Sequence, residues 1–264
     1  MSLEQKTRYY HSITDDFVES KDQDYRLPED YKWVRRDIWS RFLSAVIYAA
    51  AMFLSSIYCR FFLHVRFKNK QVLRKTRDSG AFIFGNHTQP IGDVFNPALC
   101  SLPKRIYALA SPANYGIPVI GKILPNLGAL PISDTLHGMK ELTAAMEYRL
   151  QQNKNIVIYP EAHVWEYYTD IRPFPATSFK FPVRYDKPVY TMTTTYQKRK
   201  FGRKPAITIY VDGPFYRDPM LPAKEQAARL RDEVYECMKN RSKNSNYKYI
   251  CYEPINGSVA DMNN

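Results

Sequence analysis

The stretch Phe82-Ile83-Phe84-Gly85 constrains the fold of this chain more than any other, because three apolar residues in a row are closed by a glycine. Such a run reads as a strand buried on both faces. Loops that follow buried strands in α/β folds carry side chains that the strand fixes and the loop exposes. Here the loop is Asn86-His87-Thr88-Gln89-Pro90-Ile91-Gly92-Asp93, so a histidine arrives first and an aspartate six positions later. A histidine backed by a carboxylate is the minimal general-base unit, since the carboxylate sets the imidazole tautomer and stabilises the imidazolium. A structural reading stands beside it: Asp93 caps a helix from 94 to about 100, with Pro97 near its first turn. The two are compatible, because a capping carboxylate is held rigidly.

The rest of the chain alternates between short apolar runs and helical patterns. Strands are expected at 81–84, 106–109, 129–132, 156–159, 188–194 and 207–211. Helices are expected at 115–124, 137–151 and 224–239, the second with Leu142, Met146 and Leu150 on one stripe. Alternation of this kind implies an α/β fold with a mixed, mostly parallel sheet flanked by helices. A chain of 264 residues, 45% hydrophobic, buries a full core of that size. The expected organisation is a polar tail over 1–34, a membrane-associated apolar helix with basic flanks over 35–75, an α/β domain over 76–240 and a polar extension over 241–264.

The four cysteines, Cys59, Cys100, Cys237 and Cys251, form no Cys-x-x-Cys pair, which argues against a zinc site or a disulfide framework. Some forty mostly polar residues precede the first apolar stretch, so no cleavable leader is expected and the body is assigned to the cytoplasm. The formal charge of +12 calls for an acidic partner. Nucleic acid is disfavoured, because the basic residues are spread along the chain and no recognisable binding signature is present. An anionic membrane surface fits better. The apolar run of 18 residues over 42–59 is bounded by Arg41 and Arg60. As a helix it would be about 27 Å long, at the short edge of what crosses a bilayer. Basic residues on both flanks suit a helix that dips into one leaflet at the cytoplasmic face of the cell membrane. A buried core helix is the alternative.

A second cluster repeats the logic of the first. Ile156-Val157-Ile158-Tyr159-Pro160-Glu161 is an apolar strand that ends in proline and presents a carboxylate, with His163 and Trp165 close behind. Further on come Arg172-Pro173-Phe174, Ser178-Phe179-Lys180 and Lys187-Pro188-Val189-Tyr190. Two polar strand ends separated by a helix can face one cleft.

These blocks, in this order, resemble the glycerolipid acyltransferase family, whose best-known members acylate lysophosphatidic acid. The blocks lie within 82–192: Asn86-His87 with Asp93; Gly128-Ala129-Leu130-Pro131-Ile132; Tyr159-Pro160-Glu161, similar to a Phe-Pro-Glu-Gly block; and Pro188-Val189-Tyr190, similar to a Val-Pro-Val strand. The resemblance implies His87 as general base and Asp93 as its partner. It places Asn86, Thr88, Glu161, Arg172 and Lys180 around the substrates and requires no metal and no bound cofactor. The implied partners are an acyl-CoA or acyl-ACP donor and a lysolipid acceptor.

The chain departs from the family pattern in two ways. Five residues separate His87 from Asp93 where the family usually has four, and Gly92 is expected to absorb the extra one as a positive-φ bulge. The family arginines after the second and third blocks are replaced by Ser133-Asp134 and by Ala162-His163-Val164. Those arginines serve the acceptor's phosphate, so either Arg172, Lys180 or Arg184 takes over or the acceptor has no phosphate there. His163 is expected at a pocket rim. Trp165, Tyr167 and Tyr168 fit either a membrane-interface patch or the core. The run Lys198-Arg199-Lys200 with Arg203 and Lys204 reads as a solvated turn, or as a face for anionic lipid or an acyl carrier's phosphates.

The expected function is a membrane-associated O-acyltransferase moving a fatty acyl group from a thioester to a hydroxyl of a lysophospholipid or glycerol-phosphate-like acceptor. Two alternatives are a membrane-bound (thio)ester hydrolase and a non-catalytic lipid-binding protein of the same fold. Against the first, the chain has no Gly-x-Ser-x-Gly elbow.

Overall fold

Strand Ala81–Gly85 is buried along its whole length and lies fourth in a sheet of seven. The computed structural model describes residues 6–18 and 24–255; the outermost parts of the expected tail and extension lie outside the described residues. In chain order the strands are β1 (Lys6–Tyr10), β2 (Val65–Lys68), β3 (Ala81–Gly85), β4 (Ile106–Ala110), β5 (Ala129–Pro131), β6 (Asn155–Ile158), β7 (Val189–Gln197), β8 (Ala206–Phe215) and β9 (Ile250–Pro254). The α-helices are α1 (Ile38–Ile57), α2 (Gly92–Ser101), α3 (Ile120–Leu127), α4 (Leu136–Gln151), α5 (Lys180–Tyr185) and α6 (Ala223–Ser242). The large sheet runs β2-β8-β7-β3-β6-β4-β5, parallel at every neighbour except the β7–β8 hairpin. This is the expected mixed, mostly parallel sheet.

Alternation along β3 divides the core between the two faces. Phe82 and Phe84 point into a cluster with Leu142, Met146 and Leu150 of α4, Phe179, and Leu230 and Val234 of α6. Ala81 and Ile83 point the other way, toward Ala98 and Leu99 of α2 and Tyr48 and Met52 of α1. Both faces of a parallel sheet need such cover, which is why β3, β6 and most of β7 read as unbroken apolar or Thr-rich runs.

Several elements differ from expectation. Helix α2 begins at Gly92, and its N-terminal residue Ile91 offers no side-chain cap, so Asp93 sits in the first turn rather than at the cap. Pro97 lies inside that helix. The pattern at 115–124 resolves into a 3-10 turn at Pro112–Tyr115 and the later helix α3, ended by Gly128 at φ 93°. The segment read as an irregular tail contributes β1, which pairs in parallel with β9 from the polar C-terminal region. These two strands are held by long-range pairing and carry little apolar periodicity, so neither end announces itself. Strand β2 and helix α5 were also not anticipated, being four and six residues long.

Helix α1 begins earlier than the apolar run, at Ile38, capped by Asp37 whose Oδ1 accepts from Ser40 N at 2.7 Å. It continues as a π-helical turn over Tyr58–Phe62. Among the described residues this is the one helix long and apolar enough to cross a membrane by length and composition. It is not free on all sides. Tyr48, Met52, Ser55 and Cys59 are buried against the body, while Trp39, Phe42, Leu43, Val46, Phe53, Leu54, Ile57 and Phe61 are exposed at spacings of three and four.

Candidate active site

The parallel register of β3 and β6 sets the two polar strand ends level. Phe84 pairs with Ile158, so the chain positions three residues further on, His87 and Glu161, arrive side by side. The backbone N–H of His87 donates to Glu161 Oε2 at 3.1 Å. On the other flank Asn86 extends the β3–β7 ladder with its side chain. Its Nδ2 donates to Thr194 O at 3.0 Å, and its Oδ1 accepts from Thr194 N at 2.8 Å. A primary amide reproduces the donor–acceptor pair of a peptide, which lets pairing continue where the backbone turns away.

Asp93 gathers the loop. Its Oδ2 accepts from His87 Nδ1 at 2.9 Å, Thr88 N at 2.9 Å and Gln89 N at 2.8 Å, and the side chain is buried. Two backbone N–H groups already donate to Oδ2, so it faces the ring as an acceptor and the imidazole proton belongs on Nδ1. Nε2 is left with its lone pair and no protein partner among the described residues, on a side chain 22% exposed. The extra residue between His87 and Asp93 is accommodated in the turn around Pro90 and Ile91, not by a bulge at Gly92. Gly92 is the first residue of α2, and a Cβ there would lie 2.8 Å from Asn96 Nδ2.

Tyr159 completes the support and was not singled out from the sequence. Its ring stacks on His87 with centroids 4.4 Å apart and planes 15° from parallel, and its hydroxyl donates to Asp93 O at 2.6 Å. Burial and the Asp93 charge keep that phenol well above its ordinary range, so it remains a donor. Tyr196, from β7, was also not anticipated. Its buried hydroxyl lies 2.6 Å from Thr88 Oγ1 and takes a bond from Gln89 Nε2 at 3.0 Å. Alternation along β7 aims Tyr196 at the same face as Tyr190 and Met192. That pattern was the available signal.

The expected substrate-binding residues separate into two groups. Asn86, Thr88, Glu161 and Arg172 are gathered at His87, but all are buried with protein partners. The Glu161 side chain has no exposed surface, and its Oε1 accepts from Arg172 N at 3.0 Å. Burial raises its carboxyl above the usual range, against the pull of Arg172 and the two backbone donors. Arg172 donates from Nη2 to Glu161 Oε2 at 3.2 Å and to His163 O, and from Nη1 to Ile13 O at 3.1 Å, with its guanidinium over the Trp165 ring. Trp165 is a core residue, 1% exposed among Tyr10, Phe17, Tyr168 and Tyr252. His163 is partly exposed, with Nδ1 3.1 Å from Asp16 Oδ2. Lys180 is not brought to His87. With Arg184 and Lys224 it lines an open groove between α5 and α6, on the sheet face opposite α2. No cluster of His, Cys, Asp and Glu suited to a metal occurs among the described residues.

The family model for acyltransferases matches residues 64–195, half of the chain, and takes in both polar strand ends. The chain belongs to the acyltransferase family. Among solved structures it is similar to the 1-acyl-sn-glycerophosphate (LPA) acyltransferase PlsC from Thermotoga maritima. The TM-score is 0.54 at 15% identity, over 80% of this chain and 84% of that one, a likeness of fold. No curated protein sequence matches. The matched region of this acyltransferase thus includes both strand ends, on the expected sheet.

Gly85 is where this geometry is most easily broken. A Cβ there would come within 2.8 Å of Tyr159 Cε1, and the ring cannot swing aside while its hydroxyl is tied to Asp93 O. Gly85→Ala is expected to destabilise the protein by about 1–3 kcal/mol through overpacking. It should also lower turnover by displacing the His87 stack. Denaturant titration and a thioester assay on the same sample check both, and unchanged values in each would show that the ring does not support His87.

Proposed function

We propose that this acyltransferase moves a fatty acyl group from an acyl thioester, acyl-CoA or acyl-ACP, to a hydroxyl of a lysophospholipid or glycerol-phosphate-like acceptor, with His87 as general base. The observation that carries this reading is the fixed tautomer of His87: Nδ1 is held by buried Asp93 and Nε2 is open. The acceptor hydroxyl gives its proton to Nε2 as its oxygen attacks the thioester carbonyl. The tetrahedral oxyanion then collapses, the C–S bond breaks, and the imidazolium returns the proton to the departing sulfur. Asp93 stabilises the imidazolium between the two transfers. The thioester is already activated, so orientation and one base suffice.

The exposed apolar face of α1 supports a membrane setting for the site, and the packing of its other face favours a position in one leaflet over a span. The inner face of the helix packs with Ile83 and Ala98, and a span would have to give up that contact. Its exposed stripe of Trp39, Phe42, Phe53 and Phe61 suits burial among acyl chains, with Arg41 and Arg60 at the headgroups. The proposed setting is the cytoplasmic face of the cell membrane.

His87→Ala is expected to abolish acyl transfer with melting behaviour near that of the parent, since the side chain is partly exposed. Asp93→Asn should cost about 10²–10⁴-fold in turnover by losing the imidazolium's counter-charge. A well-folded His87→Ala protein with parental turnover would sink the mechanism. Thioester loss at one rate with or without acceptor would identify a hydrolase instead.

Because Tyr48 and Met52 of α1 form part of the core, deleting the helix would disturb packing as well as anchoring, and substitutions on its outer face are the sharper test. Phe53→Asp with Leu54→Asp should release the protein from vesicles while its circular dichroism stays unchanged. Persistent vesicle binding by that variant would remove α1 from the membrane reading.

Lys180 and Arg184 lie on the face away from α2, so they are poor candidates for the missing family arginines. Lys180→Ala and Arg184→Ala are expected to leave the ratio of kcat/KM for phosphorylated and neutral acceptors unchanged. A selective loss with the phosphorylated acceptor would mean that the acceptor reaches the α5–α6 groove.

A further inference from the structure

The turn that joins β7 to β8 carries Lys198, Arg199, Lys200, Phe201, Arg203 and Lys204 and no acidic residue. Phe201, at its tip, is 75% exposed, and none of the five cations has an ion-pair partner among the described residues. The turn is nonetheless anchored. Lys198 N donates to Asn246 Oδ1 at 2.9 Å, Asn246 N donates to Tyr196 O at 3.0 Å, and Tyr247 Oη donates to Arg203 O at 3.1 Å. A fixed turn that concentrates like charge around an exposed aromatic ring is unfavourable in water alone. An anionic, partly apolar surface offsets both costs.

The sheet register places this turn at the end of the molecule that carries His87. Asn86 is tied to Thr194, and β7 runs on to Gln197, so the turn starts three residues, about 10 Å, beyond the Asn86 level. The chain leaving α1 comes to the same place. Val65, three residues after the exposed Phe62, pairs with Ile207, which lies just past the turn. The outer aromatics at the C-terminal end of α1 and the basic turn are therefore neighbours across the β2–β8 edge.

We propose that the β7–β8 turn is a second contact with an anionic lipid surface: Phe201 enters the interface, the five cations bind lipid phosphates, and together with α1 they orient the His87 end toward the bilayer. This rests on the membrane reading of α1 given above. A helix alone fixes a line on the membrane and leaves rotation about it free. A contact to one side of that line fixes the rotation.

The test uses the full chain with vesicles of phosphatidylcholine, alone or mixed with phosphatidylglycerol, compared with Phe201→Ser and with a Lys198→Gln, Arg199→Gln, Lys200→Gln triple variant. Melting curves serve as the control for folding. The triple variant is expected to lose about tenfold or more of its affinity for the mixed vesicles and little for the neutral ones. Phe201→Ser should weaken binding to both. If both hairpin variants bind mixed vesicles as the parent does, while the α1 outer-face variant is released, the hairpin proposal falls and the membrane reading stands. If the parent itself binds neither vesicle, both fall. Weakened binding of isolated acyl carrier protein by the triple variant, with vesicle binding intact, would assign the turn to the donor and overturn the lipid proposal.

Discussion

Everything at the candidate site depends on one carboxylate oxygen. Asp93 Oδ2 holds the His87 imidazole and the N–H groups of Thr88 and Gln89, so one atom fixes the tautomer of the base and the path of its loop. Burying a carboxylate costs several kcal/mol, and hydrogen bonds to a charged group recover about 1.5–3 kcal/mol each. Three such bonds on one oxygen make the burial sustainable. They also mean that the loop cannot move without exposing the charge. The rest of the site braces this arrangement: Tyr159 ties helix α2 to the ring it stacks on, Tyr196 clamps Thr88 and Gln89, and Asn86 welds the loop to β7.

Glu161 holds a similar position one strand away, but with the opposite relation to solvent. His87 keeps an open nitrogen, whereas Glu161 has none of its surface free and divides its oxygens between His87 N and Arg172. An acidic residue at a strand mouth reads in sequence as a group that meets substrate. Here it positions the base from behind and neutralises an arginine drawn inward by the N-terminal segment. Sequence cannot separate these cases, because the deciding fact is where residues 13–16 run, and they approach from about 150 positions away.

What was legible in the sequence follows the range of the forces involved. Buried parallel strands announce themselves as apolar runs, and β3 and β6 were found within a residue of their ends. The His87–Asp93 pair was legible because its residues are near in sequence and sit in one loop. The pairing of β1 with β9 was not, since edge strands of mixed polarity acquire their structure from partners far along the chain. Lys180 misled for a related reason. It follows Phe179, whose ring stacks on Phe84 at 4.1 Å and so is close to the site in depth. Phe179 packs inward on the same layer, whereas Lys180 turns outward to the exposed groove between α5 and α6, a distinction that spacing within a motif does not encode.

The departure at Ala162 shows how the backbone can keep a family feature after the residue has changed. The resemblance places a glycine after Glu161, and the chain at Ala162 adopts φ 64°, the left-handed conformation that glycine visits freely. Alanine there costs about 1–2 kcal/mol. The turn survives because it is held at both ends: Ala162 N donates to Tyr159 O at 3.2 Å, and His163 N donates to Glu161 O at 2.8 Å. That turn sends the following residues away from β6, and it leaves His163 O to accept from Arg172. With an arginine absent from the position two residues after Ala162, the guanidinium in this region is Arg172, and it is already committed to Glu161 and to the N-terminal segment. The Arg172 guanidinium is thus part of the scaffold, and a phosphate on the acceptor would need other partners.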